Sequence, residues 1–381
     1  MLKVAIVGCG KIADSHASQI QRIPACELVG VCDREELMAK QFQQRFRAKR
    51  WFNNLEELLE EAKPAVVHVT TPPASHFELG RQCLLHGVHV YIEKPFTLNS
   101  RQAEELIGLA RESNLKVTVG HDDQFRHAAR RMRRLVQGGY LGGVPVHMES
   151  YYCYELGETS AYAKALLADK QHWVRKLPGQ LLHNIISHGI ARIAEFLTTD
   201  SPEVIAHGFV SPCLRKMGEA EIVDELRVII SEQERTTAYF TFSSQMRPSL
   251  HQFRIYGPRN GLLLDQDNET LIRLRGTRRK SYLEHFVSPL DLAKQYVGNT
   301  SHNVRKFLGR DFHMKSGMKH LIESFYRSIR EQAPLPIPYA EILRTARIMD
   351  SIFDQIRARR LDGGDMARPR AFRPTPVMRL R

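Results

Sequence analysis

Three clusters of residues in this 381-residue chain have types and spacings that could do chemistry. The first is Gly8-Cys9-Gly10-Lys11-Ile12-Ala13, which follows a strand-length apolar run and opens a helical pattern. Gly8 suits a tight turn, Gly10 lets backbone amides approach a pyrophosphate, and small Ala13 lets the helix pack close with its N-terminus toward the phosphates. Asp33 ends the next apolar run at the distance where an acidic side chain accepts from an adenosine ribose diol. It would repel a 2′-phosphate, so the pair favours NAD over NADP. Arg34, beside it, could instead compensate such a phosphate or stack on adenine. The second cluster is Glu93-Lys94-Pro95 at the end of another apolar run. Ligands of open α/β sheets bind at the carboxyl ends of strands, and a lysine there, near a cationic ring, has a pKa suited to proton exchange with a hydroxyl or carbonyl. A surface lysine that merely ends a strand is the alternative. The third is the helical stretch 180–197, where Leu182, Ile186, Ile190, Ile193 and Leu197 share one face and Asn184, His188, Arg192 and Glu195 the other. By pattern alone the second face is either solvated or turned to a cleft.

The elements that must position these residues follow from hydrophobic period. Runs at 2–7, 28–32, 65–69, 88–92 and 115–119 read as strands, and 12–22, 35–46, 55–61, 77–86 and 101–111 as helices, with Asn54 and Ser100 as N-caps. The alternation predicts an α/β Rossmann domain, a doubly wound parallel sheet, over 1–124. Beyond it, strand patterns at 146–153, 203–209, 221–230, 236–242, 251–256 and 261–264 follow one another with few helices between. That style predicts an α+β C-terminal domain with an open antiparallel sheet over 125–361, closed by helices at 315–330 and 339–357. Residues 362–381 form a basic Pro/Arg-rich tail without apolar period.

Composition narrows the function classes. At 43% hydrophobic and 25% charged the chain is an ordinary globular protein. No run approaches the roughly 18 apolar residues of a membrane span, and the N-terminus lacks a signal-peptide pattern, so a cytoplasmic protein is expected. Six cysteines without CxxC spacing read as reduced core thiols. The net charge of +13 favours anionic ligands. Part of it lies in Arg126, Arg130, Arg131, Arg133 and Arg134, which read as a solvated helix face rather than a nucleic-acid site. Neither the His183/His188 nor the His121/His127 spacing fits a helical zinc pair, so no metal is expected.

Tyr91-Ile92-Glu93-Lys94-Pro95 behind such a glycine turn resembles the Gfo/Idh/MocA family of oxidoreductases, the glucose–fructose oxidoreductase and inositol dehydrogenase relatives. The likeness continues in Thr70-Thr71-Pro72 with His76, in Gly120-His121-Asp122, and in the segment from Gly179 to His188. It implies a nicotinamide dinucleotide in the crevice between the domains and hydride transfer at a secondary hydroxyl or ketone of a sugar-type substrate, nucleotide-linked and anionic ones included. Lys94 and His188 inherit the acid/base roles. The implied cofactor contacts are Gly8, Cys9, Gly10, Lys11, Ile12, Asp33, Arg34, Thr70, Thr71, Pro72, His76, Glu93, Lys94 and Asp122. The implied substrate contacts are Lys94, Trp173, Arg175, Asn184 and His188, and the open sheet implies a homo-oligomer, dimer or tetramer. Two departures stand out: Asn184 replaces the family's Asp, and Asp122-Asp123-Gln124-Phe125 replaces a run that often begins with Asn. Other readings are a lyase or glycosidase with transient redox, and a non-catalytic cofactor-binding regulator.

Overall fold

The computed structural model describes residues 1–155, 161–233, 235–276, 280–312 and 315–362. Its first sheet is built from β1 (Leu2–Val7), β2 (Cys26–Cys32), β3 (Arg50–Phe52), β4 (Val66–Val69), β5 (His89–Ile92) and β6 (Val117–Val119). All pairs are parallel, in the order β3-β2-β1-β4-β5-β6. The strands are Val/Ile-rich with almost no exposed residue, as a sheet covered on both faces requires. Crossovers carry α1 (Lys11–Ile20), α2 (Glu36–Phe46), α3 (Leu55–Glu57), α4 (His76–Leu85) and α5 (Ser100–Glu112). The strand order reverses between β1 and β4, so the ligand crevice of this fold opens there.

The expected five strands missed β3, whose three residues Arg50-Trp51-Phe52 are too short to show a period. Asn54 caps α3 by accepting from the Glu56 and Glu57 amides. The cap of α5 is Asn99, not Ser100: Asn99 has extended backbone and its side chain accepts from the Gln102 amide at 2.9 Å.

The second sheet comprises β7 (His147–Glu155), β8 (Glu203–Phe209), β9 (Glu225–Glu232), β10 (Thr236–Ser243), β11 (Gln245–Tyr256), β12 (Asn260–Asp265) and β13 (Thr270–Arg275), in the order β13-β12-β11-β7-β10-β9-β8. It is mixed rather than purely antiparallel, because β10 runs parallel to β7. Between and around these strands lie α6 (His127–Gln137), α7 (Ala161–Ala168), α8 (Gln180–Ile185), α9 (Ser187–Ala194), α10 (Pro212–Lys216), α11 (Ser281–Leu308), α12 (Ser316–Arg330) and α13 (Tyr339–Asp362). The single helix expected over 180–197 is thus divided at Ile186. The strand β13 and the 28-residue α11 were not expected. The apolar side chains of α11, Phe286, Leu290 and Val297 among them, face outward, and Pro289 interrupts its pattern.

Two cores result. One joins the first sheet to Met318, Leu321, Ile322, Phe325 and Tyr326 of α12, so a C-terminal helix completes the N-terminal core. The other packs the second sheet against α9 and α13 through Ile186, Ile190, Phe240 and Ile352. The opposite face of that sheet leaves Ile205, Ile229 and Tyr239 exposed. All six cysteines are free; Cys9, Cys32, Cys83 and Cys153 are buried, whereas Cys26 is half-buried and Cys213 exposed. No helix among the described residues is long and apolar enough to cross a membrane. All but the first residue of the 362–381 tail lies outside the described residues.

Gly189, which follows His188, shows how tightly α9 is seated. A Cβ there would collide with the Phe240 ring and lie 3.0 Å from the Tyr152 Cβ. Overpacking of this kind costs about 1–3 kcal/mol. Gly189→Ala is therefore expected to lose about that much in urea unfolding, and an unchanged midpoint would contradict the packing.

Candidate active site

At the β1–α1 turn the glycines do what their spacing suggests. Gly8 has φ +92°, and a Cβ on it would lie 2.6 Å from Thr71 Cγ2. Gly10 has open space where its Cβ would be, and as N-cap of α1 it offers no side chain to the helix's first amides. Those amides are free to meet a phosphate. Asp33 accepts from the Cys9 amide at 2.7 Å and from the Glu35 amide at 3.0 Å, which fixes its carboxylate beside the turn. Lys11 and Arg34 are exposed there, Ile12 is half-buried, and Thr71 and Pro72 border the turn after β4. The residues present fit a dinucleotide. Thr70 and His76 are engaged within the protein. The Thr70 hydroxyl donates to the Val7 and Gly8 carbonyls. The His76 ring bridges the carbonyls of Pro95 and Thr71, both at 2.8 Å, and so ties the loop after β4 to the loop after β5.

At the end of β5 the Glu93 carboxylate is buried. It pairs with His16 Nε2 at 2.8 Å and accepts from the Lys94 amide at 3.1 Å. His16 Nδ1 lies 2.8 Å from His68 Nδ1, and His68 Nε2 lies 2.7 Å from the Tyr326 hydroxyl. This chain runs from the strand end through the first core to α12, with each imidazole fully buried. Burial alone would raise the Glu93 pKa, but the His16 hydrogen bond and charge and the Lys94 charge bring it down to about 2. Gly120 is required alongside, since a Cβ on it would lie 2.8 Å from Glu93 Oε1. Lys94 turns the other way. Its Nζ donates to the Asn184 backbone carbonyl at 2.8 Å, linking the first sheet to α8. Burial lowers its pKa, against the opposing charges of Glu93, Asp122 and Asp123.

His188, on the first turn of α9, meets the turn after β6. Its Nε2 is 4.0 Å from Asp122 Oδ1 and its Nδ1 is 3.8 Å from Asp123 Oδ2. Asp123 Oδ2 also accepts from the Tyr152 hydroxyl at 2.9 Å and lies 4.0 Å from Arg192 Nη2. The rings of His121 and Tyr152 flank the imidazole at 5.8 and 5.9 Å. Burial lowers the His188 pKa to about 4, with Asp123 opposing and Lys94 reinforcing the shift. Burial would raise Asp123, but the charges of His188, Arg192 and Arg126 and the Tyr152 bond outweigh it and hold it ionised. Asp122 is pushed up to about 7 by burial and then by the Asp123 charge. Two adjacent carboxyls are thus pushed in opposite directions, a pattern suited to acid/base work.

The arrangement brings together Lys94, His188, Asn184 and Asp122. Asn184 meets Lys94 through its backbone carbonyl. The face carrying His188 and Arg192 is buried rather than solvated. Arg175 is committed elsewhere, to Glu219 at 2.6 Å and the Leu166 carbonyl at 3.0 Å. Trp173 is partly exposed and stacks on His172. Sequence reasoning did not assign Asp123, Tyr152 or the His16–His68–Tyr326 chain; the available signals were the doubled acid after β6 and a histidine inside the Val-rich run Val66–Val69. The donor atoms of Asp122, Asp123 and His188 lie within 4.8 Å of one another. Such a group could hold a metal ion, and histidine spacing along the chain could not reveal it.

A family model described as an oxidoreductase family with an NAD-binding Rossmann fold, Gfo/Idh/MocA, matches residues 2–121. Over these residues the chain is similar to the Gfo/Idh/MocA oxidoreductase family. The chain is 32% identical over 149 residues to the UDP-N-acetylglucosamine 3-dehydrogenase of Acidithiobacillus ferrooxidans, a match covering 39% of the chain and 44% of that protein. It is 32% identical over 146 residues to the D-glucoside 3-dehydrogenase of Escherichia coli, covering 38% and 42%. The chain thus spans less than half the length of these curated relatives. It shares its fold, at TM-score 0.74 and 14% identity over 94% of the chain and 96% of the other, with the WlbA dehydrogenase of Bordetella pertussis, solved with NADH and UDP-GlcNAcA.

The raised Asp122 pKa has a consequence for stability. A carboxyl whose folded pKa lies above its unfolded value contributes stability that is complete below the unfolded value and is lost as pH rises through the folded one. Asp122→Asn, which cannot ionise, should therefore match the parent at pH 4 and exceed it at pH 8. The expected gain is roughly 1–4 kcal/mol, at about 1.4 kcal/mol per pH unit of displacement. Equal stability at both pH values in urea unfolding would refute the assignment.

Proposed function

We propose that this chain is an NAD-dependent dehydrogenase or reductase that moves a hydride at a secondary hydroxyl or ketone of a sugar, most suitably a nucleotide-linked one, with Lys94 and His188 as acid/base groups. The observation that carries this reading is the meeting of Lys94 with α8 and α9 at the carboxyl end of β5, one strand from the reversal point of the first sheet. The named substrates of the relatives, and the sugar nucleotide bound in the WlbA neighbour, support the substrate class.

A nicotinamide held by the β1–α1 turn would supply the hydride acceptor. The remaining chemistry belongs to the chain. Oxidation of a CH–OH leaves a proton on oxygen, and the Lys94 amine, its charge disfavoured by burial, takes it. The Asn184 carbonyl aims the amine. His188 stands in the same cluster, and ionised Asp123 steadies positive charge on its imidazole, the part an Asp at 184 would otherwise play. Asp122 accepts or returns a proton near neutral pH. The exposed row Ile205, Ile229 and Tyr239 is the face we assign to a homo-oligomer. We divide the chain functionally into 1–124, 125–361 and the tail 362–381.

Lys94→Ala should lower kcat by about 10²–10⁴ with cofactor affinity retained, because general acid–base groups are worth that much. Retention of parental turnover in an NADH-formation assay with a nucleotide sugar would refute the role. Asp33 should make NAD bind more tightly than NADP, and Asp33→Ser should narrow the difference in a fluorescence titration. Tighter NADP binding by the parent would instead make Arg34 the discriminator.

A further inference from the structure

The arginines of α6 do not form a solvated face. Arg130, Arg131 and Arg134 converge with Lys306 of α11 and with His127 and His320 on a cleft of about 400 Å³, and none of the residues lining it is a carboxylate. Its volume falls in the range of small-molecule sites. Two of its cations are neutralised nearby: Arg133 pairs with Glu195, and Lys306 lies 2.9 Å from Asp311. Arg130, Arg131 and Arg134 make no ion pair among the described residues, although Asp311, Glu269 and Glu323 lie near enough to act on the Arg130 charge. Arg130 donates to His320 Nδ1 at 3.0 Å and to His127 Nδ1 at 2.7 Å, so its guanidinium rests on two imidazole lone pairs while its buried Nε has no partner. Arg131 donates to the amide oxygen of Asn299 at 3.0 Å. Arg134 is exposed and makes no ion pair among the described residues.

Positive charges outnumber their counterions in this half-buried cleft, which is unfavourable, and the proton affinities of its neighbours are lowered. Burial and the charges of Arg273 and Arg134 lower the Arg131 pKa, and burial with Arg130 and Arg133 lowers that of His320 to about 4. A multiply charged oxyanion removes this repulsion, and guanidinium forks match phosphate oxygens in pairs. We propose that the cleft between α6, α11 and α12 binds a small phosphate-bearing anion, at a site that shares no residue with the Lys94–His188 centre. The charges converge into a concavity instead of forming a stripe, which fits a small anion better than a nucleic-acid backbone. This assignment stands whether or not the chain oxidises a sugar.

The test is calorimetric titration of inorganic pyrophosphate into the full-length protein at low salt, with NADH in excess to fill the β1–α1 turn. Saturable binding is expected. Arg134→Gln, which removes an exposed unpaired side chain, should weaken it about tenfold, and adding Arg131→Gln should weaken it further, each lost guanidinium–phosphate contact being worth about a factor of ten. The double variant Arg81→Gln/Arg357→Gln removes the same charge elsewhere and should bind like the parent. The proposal is overturned by absence of saturable binding, by equal weakening in the two double variants, by loss of the signal on adding NADH, or by affinity that grows with the length of an oligonucleotide probe.

Discussion

The side-chain nitrogen of a lysine at a strand end of the first sheet, bonded to a backbone carbonyl of α8, is the contact on which this structure turns. Lys94 leaves β5 within the first sheet and its Nζ ends on the Asn184 carbonyl of α8. Burying a lysine is costly unless other groups share the charge, and here Glu93, Asp122 and Asp123 do so. Each is itself held in place. Glu93 is gripped by His16, which is braced through His68 to Tyr326 of α12, and Asp123 is gripped by Tyr152 and faces Arg192. Strand ends, helices and both cores are thereby committed to one cluster of charge.

We read Asp123 as supplying, from another place in the chain, the carboxylate that the family resemblance would put at 184. With an amide at 184, nothing on α8 can balance a positive imidazole at 188 by charge. Asp123, from the turn after β6, lies 3.8 Å from the ring instead. The doubling of acids at 122 and 123 then has a physical sense: one carboxyl stays ionised against His188 and Arg192, and burial together with that charge drives the other up to about 7. A single Asp in that turn could not hold both states.

What was legible in the sequence was what depends on near neighbours. Gly8, Gly10 and Asp33 act within one βα unit, and the parallel sheet follows from Val/Ile runs separated by helical periods, so both could be read directly. Asp123 and Tyr152 could not be assigned because their meaning rests on a bond between them across 29 positions and on α9 further along still. The Arg175 side chain carried no sign of Glu219, its partner 44 positions away. β3 was too short for a period, and α11 hid because its apolar residues face outward, against the rule that apolar stripes face a core. The mixed pairing of β10 with β7 is likewise a matter of topology and not of pattern.

The relocation of the carboxylate is tested most directly by moving it back. NADH formation from NAD and UDP-N-acetylglucosamine, or another nucleotide sugar that the unmodified protein oxidises, should fall at least tenfold in Asp123→Asn. It should recover in large part in Asp123→Asn/Asn184→Asp, where the family's Asp–His pair is rebuilt on α8 and α9. Parental turnover in Asp123→Asn, or a double variant no better than the single one, would contradict the account.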